Sequence, residues 1–274
     1  MKIKKNKIKR VLFEIKKGLR RIYWYNYTKF KYFYYTIKPK NSNISKNRIS
    51  LLLPSRERSK KFYRMVYSLI ETCADHDRIE LLILLDSDDK EIELYKKIIN
   101  DLSNKIYIKI FVYDTNTHAK RNNYLAHRAT GEILFPINDD IIFKSKNWDK
   151  IIDYEFSKII NEPLCLWIDS GQKYNYLHCD FPIVNRLWFK RLGYIASEFF
   201  NFWYLDTWIC DLCFKSKKFL ITNKIKIYQF SAHTIKEEVD NTHLKNIKDD
   251  IPFKDFLIWN KTENNRKKDY KLLL

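Results

Sequence analysis

The stretch ATGEILFPINDD, residues 129–140, decides how this chain is read. Its apolar run ends abruptly in Asn138, Asp139 and Asp140. A short, unalternating apolar run suits a strand covered on both faces, the kind found in parallel sheets. Pro136 lacks the N–H that a central strand donates, but it stands near the strand end, where the loss matters least. Adjacent carboxylates repel each other unless a cation or solvent intervenes. Asp139 and Asp140 at a strand end are therefore candidates for an oxygen-seeking divalent ion, Mn²⁺ or Mg²⁺. A solvated turn or a helix cap explains most isolated strings of this kind; the position after a buried strand favours the ion.

Outward from this stretch the chain alternates. Ile49–Leu53, Ile79–Leu85, residues 106–113 and Leu164–Ile168 are further strand-like runs. Between them, Phe62, Met65, Val66, Leu69, Ile70 and Cys73 mark one helical face, and Ile92, Tyr95, Ile98 and Ile99 mark another. Residues 118–129 predict a third helix. A fourth carries Trp148, Ile151, Ile152 and Ile159, with Glu155 breaking its apolar stripe. Strands alternating with helices imply an α/β domain with a mostly parallel, Rossmann-like sheet flanked by helices. Ligands bind such sheets at the carboxyl ends of the strands. Those ends carry Pro54-Ser55-Arg56-Glu57-Arg58, Asp86-Ser87-Asp88-Asp89 and Asn138-Asp139-Asp140. The second string lacks the glycine and glutamate of a calcium loop. Helix capping by Asp88 or Asp89 is the plain alternative there, and Asp86 is the better candidate for a ligand contact.

The 274 residues, 45% of them apolar with only four glycines, suit one α/β domain with appendages and exclude a disordered or collagen-like chain. The net charge of +19 is uneven: residues 1–40 carry +13 and the rest +6. Val11, Leu12, Ile15, Leu19 and Ile22 recur at helical spacing among lysines and arginines, followed by a tyrosine-rich cluster. This pattern suits an anionic membrane surface, or a helix packed on the main domain with a solvated basic face. KPKNSNISKNR, 38–48, has linker composition. The expected organisation is an appendage at 1–40, a linker at 41–48, a catalytic domain at 49–244 and an extension at 245–274. Five cysteines at irregular spacing form no disulfide framework, so a cytoplasmic location is expected, with residues 1–40 the part that would make it peripheral on the inner membrane face. Cys210 and Cys213 are expected to be buried thiols. No apolar run of about 18 residues predicts a transmembrane helix, and no signal-peptide pattern stands at the start.

The order of these features resembles the GT-A fold of family 2 glycosyltransferases. In that family an Arg-Asn helix precedes an "ATGE" turn, an apolar strand and a D-x-D motif. Here the counterparts are Lys120-Arg121-Asn122, Ala129-Thr130-Gly131-Glu132 and Asn138-Asp139-Asp140. The resemblance spans 49–235. It implies that Pro54, Ser55 and Arg56 line the donor site and that Asp86 contacts the nucleotide base with Arg121 nearby. Asn138 or Asp139 would contact the ribose and diphosphate, and Asp140 the metal. Asn138 departs from the family's usual aspartate. Asp206, before a helix, matches the catalytic base, although Leu205 replaces the usual preceding acid; an N-cap is the plainer role for it. His233 resembles the late histidine that completes many GT-A metal sites.

The resemblance implies transfer of a sugar from a nucleotide-sugar donor to a glycan or lipid-linked acceptor, with a divalent cation and with inversion. Asp169 or Asp180 would be the carboxylates to consider in a double displacement. Two other classes fit the composition: a nucleic-acid-binding protein, and a metal-dependent nucleotidyltransferase. The acids on the predicted ligand edge argue against nucleic acid as a partner.

Overall fold

The computed structural model describes residues 46–171, 178–200, 203–230 and 251–274, with Leu19, Ile22, Tyr23, residues 25–30 and Tyr34. Four strands form the parallel part of the sheet: β1 (Ile49–Pro54), β2 (Ile79–Leu85), β3 (Tyr107–Val112) and β4 (Ile133–Pro136). The other four are β5 (Ile141–Phe143), β6 (Cys165–Asp169), β7 (Ile183–Asn185) and β8 (Phe219–Gln229). The sheet order is β3-β2-β1-β4-β7-β6-β8-β5. Since β7 is antiparallel to both β4 and β6, those two strands point the same way, and β8 is parallel to β6. The carboxyl ends of β1, β2, β4, β6 and β8 therefore share one edge. Two short strands, β5 and β7, were not expected from sequence. At three residues each they carry no measurable periodicity.

The apolar runs are continuous because each strand serves two cores. In β1, Ile49, Leu51 and Leu53 face one cluster and Leu52 the other; β2 divides in the same way. The first cluster receives Phe62, Met65, Val66 and Leu69 of α1 (Ser59–Thr72), Tyr95 of α2 (Ile92–Leu102) and Trp148 of α4 (Trp148–Phe156). The second receives α3 (His118–Arg128), α5 (Arg186–Leu192) and α6 (Leu205–Ser216). Glu155, the break in the α4 stripe, is 2% exposed. It is tolerated because Lys158 Nζ pairs with it and Thr222 Oγ1 donates to it at 3.2 Å.

The C-terminal extension closes the second core with α7 (Ile251–Lys261) and α8 (Glu263–Leu272). Arg266 of α8 is buried, bonds Asp211 of α6 at 3.1 Å, and lies 3.6 Å over the Trp259 ring. At the other terminus, Thr28 is fully buried and Tyr27 packs against Phe219. Leu19, Ile22, Tyr23 and Phe30 are each more than 60% exposed. Part of the appendage thus packs on the domain while another part offers apolar side chains to solvent. Most of residues 1–40 and the linker lie outside the described residues. No helix among the described residues is long and apolar enough to cross a membrane.

The ATGE turn locks three strands together. Glu80 of β2, 3% exposed, accepts from Ser50 Oγ of β1, from Thr130 N at 2.9 Å and from Thr130 Oγ1 at 3.2 Å. Gly131 N donates to Ser50 Oγ at 2.9 Å, and Glu132 accepts from Arg48 N at 2.8 Å. A Cβ on Gly131 would meet Arg48 O and Ser50 Oγ at 2.6 Å each. Gly131→Ala is expected to lower stability by about 1–3 kcal/mol, the usual cost of overpacking a tight site. Urea unfolding would show it as a lower midpoint with an unchanged slope; an unchanged midpoint would mean that the turn relaxes freely.

Candidate functional site

The loop after β1 is tied down on both sides. Ser55 N continues the ladder to Leu84 O at 3.0 Å, and Pro54 is buried beside it in register with Leu84. Glu57 adopts a left-handed φ of 50°, and Asp89 Oδ2 accepts its N–H at 2.9 Å. Asp89 Oδ1 also accepts from Glu91 N, while the N-cap of α2 is Glu91 itself. Asp88 and Asp89 are therefore loop clamps and not helix caps.

Arg56 reaches Asp86 at 2.6 Å and Asp88 at 2.6 and 2.8 Å. The bonds to Asp88 and then Asp86 raise its already high pKa. Arg121, projecting from α3, meets the same Asp86 at 2.6 Å. Asp86, 5% exposed, is thus held between two guanidinium groups at the end of β2. A groove of about 750 Å³ lies alongside, lined by Tyr113, Asp114, Thr115, Lys120, Tyr124 and Glu198 among others.

At the end of β4, the two carboxylates differ. Asp139 is turned inward, 2% exposed, and accepts from Ser55 Oγ at 2.5 Å and from Arg58 Nη1 at 3.0 Å. Burial raises its pKa; the Arg58 charge and the Ser55 bond oppose the shift without cancelling it. Asp140 is pushed up to about 6, by burial first and by the neighbouring Asp139 second. Arg58, Gln229 and Lys61 counter this incompletely. Gln229 Nε2 lies 3.3 Å from Asp140 Oδ2, and Phe230 N donates to Asp140 O at 2.7 Å, so β8 supports this loop. Asn138 is partly exposed between β4 and these two acids. His233 lies outside the described residues.

Asp206 sits in the first turn of α6, and the N-cap is Tyr204 with a left-handed φ of 69°. The capping role suggested by sequence is therefore wrong. The Asp206 side chain is 41% exposed, and its Oδ2 lies 3.5 Å from His178 Nε2. His178 Nδ1 is 2.9 Å from Asp180 Oδ1, and Ser170 Oγ, just past β6, donates to Asp180 Oδ2 at 2.5 Å. Burial would raise Asp180, but the bonds from His178 and Ser170 outweigh it and hold the carboxyl below its ordinary value. His178, Asp180 and Asp206 are the one group of three potential metal-ligating side chains drawn together among the described residues. Asp169 instead accepts from Gly171 N at 2.9 Å and faces Lys226.

The β1, β2 and α3 candidates thus meet around Asp86, and Ser55 meets Asp139. Sequence reasoning missed Arg58, Tyr95, Gln229 and His178. Tyr95 Oη, 2.7 Å from Ser55 Oγ, looked like a plain member of an apolar stripe. Arg58 stood in the polar string after β1 and could have been taken with Arg56. Cys210 and Cys213 are buried thiols, as expected; Cys165 and Cys179 are buried too, and burial pushes Cys179 up to about 12.

No protein-family model matches the sequence, and no curated protein matches it significantly. Solved structures match the fold. The mannosyltransferase PcManGT from Pyrobaculum calidifontis, in complex with GDP-Man and Mn²⁺, aligns with a TM-score of 0.59. The alignment covers 92% of this chain and 80% of that one at 11% identity. TarS 1-349 from S. aureus, in complex with UDP, aligns with a TM-score of 0.54 at 14% identity. That match covers 66% of this chain and 60% of the TarS chain. At such identities the shared property is architecture. This chain has the GT-A fold, a curled, mostly parallel sheet between helices with its strand ends gathered at one edge.

Proposed function

We propose that this chain is a metal-dependent glycosyltransferase that moves a sugar from a nucleoside diphosphate donor to an acceptor hydroxyl. One observation carries the proposal: a single sheet edge holds a guanidinium-clamped aspartate, a buried carboxylate loop and a part-exposed carboxylate on a helix start. Asp86, with Arg56 and Arg121 beside it, meets the nucleotide base; the adjoining groove has room for a nucleoside. Asn138 faces the ribose and diphosphate. Asp139 contributes by orienting Arg58 and Ser55, its own oxygens being spent on them. The GDP-Man and UDP complexes of the two similar structures support a donor of this class.

The residues present fit a divalent ion. Asp140 offers a hard oxygen donor whose charge is disfavoured by burial and by Asp139, a situation that a cation relieves. Asp140, completed by His233, would hold Mn²⁺ or Mg²⁺. When bound, the ion supplies neutralisation of charge on the leaving diphosphate. Asp206 takes the proton of the acceptor hydroxyl as general base. A lone base implies displacement with inversion. The transferred group is a hexose or N-acetylhexosamine and the acceptor a glycan or lipid-linked glycan of a bacterial surface polysaccharide. Residues 1–40 hold the enzyme to the anionic inner face of the membrane.

Asp140→Asn separates function from stability. Its carboxyl moves from 3.8 to about 6 on folding. The folded state binds the extra proton between these values, so stability falls as pH rises through that window. At pH 7 the charge costs about 3 kcal/mol, at roughly 1.4 kcal/mol per unit. The metal-free variant should therefore melt higher than the wild type at pH 7, with the difference vanishing below about pH 4. Mn²⁺ should raise the melting temperature of the wild type only. An equal Mn²⁺ effect on both proteins would remove Asp140 from the metal site.

Asp206→Asn keeps shape and removes basicity. Turnover of UDP- and GDP-sugars should fall by roughly 10²–10⁴ with little change in donor affinity. Because Asp206 is not a cap, the stability change should stay within about 1 kcal/mol, the scale of a helix-dipole contact. A folded variant with normal transfer would exclude Asp206 as the base.

Replacing exposed Leu19, Ile22 and Tyr23 by serine should weaken sedimentation with phosphatidylserine vesicles and leave donor turnover intact. Equal binding by both proteins would count against a membrane role for this face.

A further inference from the structure

Asp206 is not alone at the start of α6. Asp180 Oδ1 meets His178 Nδ1 at 2.9 Å, and His178 Nε2 meets Asp206 Oδ2 at 3.5 Å. The three side chains come from two places in the sequence, the segment after β6 and the first turn of α6. Their outer atoms are anchored. Ser170 Oγ donates to Asp180 Oδ2 at 2.5 Å, and Asp206 Oδ1 accepts from Thr207 N at 2.6 Å. Nε2 of His178 faces Oδ2 of Asp206, with Thr207 Oγ1 also 3.5 Å from Nε2.

The two distances differ in a way that the chemistry of imidazole explains. A neutral imidazole carries one N–H. Asp180, an anion, draws that hydrogen to Nδ1, giving the short contact. Nε2 then presents a lone pair to the Asp206 carboxylate, and two acceptors with no hydrogen between them stay apart. A proton placed between Nε2 and Oδ2 turns this separation into a hydrogen bond, with the imidazolium flanked by two carboxylates.

We propose that Asp180 and His178 form a positioning relay for Asp206, in which Asp180 sets the tautomer of His178 and His178 takes over the proton that Asp206 removes from the acceptor. The proposal rests on Asp206 being the base. In the reaction the acceptor O–H bond breaks and an Oδ2–H bond forms on Asp206, while the acceptor oxygen bonds the anomeric carbon and the bond from that carbon to the diphosphate breaks. The Oδ2–H proton then passes to Nε2, and Asp206 is a carboxylate again. Solvent takes the proton from His178 before the next cycle. His178 acts through Asp206 and is a positioning residue.

The same three side chains could bind a cation, and two features disfavour it. Asp206 lies at the positive end of the α6 dipole, which repels cations. Three of the four carboxylate oxygens already accept hydrogen bonds from Ser170, His178 and Thr207.

The test combines kinetics and NMR on the full-length protein with Mn²⁺, using release of nucleoside diphosphate from a UDP-sugar and a GDP-sugar. His178→Gln and Asp180→Asn should each lower kcat roughly tenfold to hundredfold, less than loss of the base itself. Donor KM, Mn²⁺ affinity and melting temperature should stay near wild type. The double variant should be no worse than the more damaged single one, because the two residues act as a unit. In the Asp206→Asn background, His178→Gln should cost nothing further. Long-range ¹H–¹⁵N spectra at alkaline pH should show His178 protonated at Nδ1 in the wild type, and a changed tautomer balance in Asp180→Asn. Should His178→Gln not fold, Asp180→Asn decides on the same criteria. Wild-type kcat in His178→Gln beside a crippled Asp206→Asn overturns the relay alone; an active Asp206→Asn overturns the base assignment on which it rests. A loss of Mn²⁺ affinity in His178→Gln, or a wild-type His178 protonated at Nε2, also overturns the relay.

Discussion

A carboxylate taken almost wholly out of water must find donors, and Asp139 finds them in the loop after β1. Its bonds to Ser55 Oγ and Arg58 Nη1 join the end of β4 to the start of α1. Ser55 in turn meets Tyr95 Oη, which also accepts from Arg58 N at 3.1 Å, so α2 enters the same network. With Arg58 drawn to Asp139, Arg56 is left to face Asp86 across the β1–β2 boundary. The left-handed turn at Glu57 separates the two arginines, and Asp89 holds it in place. One buried charge therefore organises this edge of the sheet. Removing either partner would leave the other buried and uncompensated, which costs more than the pair contributes.

The neighbouring carboxylate has the opposite character. Among the described residues, the Asp140 side chain has Gln229 at long hydrogen-bond distance and incompletely compensating cations around it. A protein selected for stability alone would place an amide or an apolar residue there. Destabilised ionisable groups cluster where function needs them. The backbone of Asp140 is held by Phe230, so the strain stays electrostatic and the loop keeps its shape.

The parallel sheet was legible because its strands are buried on both faces, which leaves apolar runs such as Leu81–Leu85 with polar strings at their ends. The position of Asp86, Arg121, Asp139 and Asp140 at one edge follows from the parallel order. The partners of those residues were not legible. That Arg58 pairs with Asp139 while Arg56 pairs with Asp86 depends on a left-handed φ at Glu57, a residue with no propensity for it. His178 was hidden for a related reason. It lies in an irregular segment after β6, where no periodicity operates, and its proximity to Asp206 is set by the packing of α6 against the sheet. The alternative of a cap at Asp206 fails because Tyr204 takes the left-handed N-cap position without a side-chain bond. Local preference yielded to the aromatic contacts of Tyr204 with Phe200 and Trp259.

Asn138, the one departure from the D-x-D pattern, makes physical sense in this setting. Asp139 already raises Asp140 through like-charge repulsion, after burial has done most of the shifting. A third carboxylate at 138 would add a further negative charge to a loop into which, among the described residues, one arginine, Arg58, is bonded. Asparagine keeps an acceptor and two donors and leaves the charge balance unchanged. Repulsion between neighbouring carboxylates is eased when one of them is paired internally, as Asp139 is with Arg58. The same arrangement leaves Asp140 as the carboxylate of the string whose charge is least compensated within the protein.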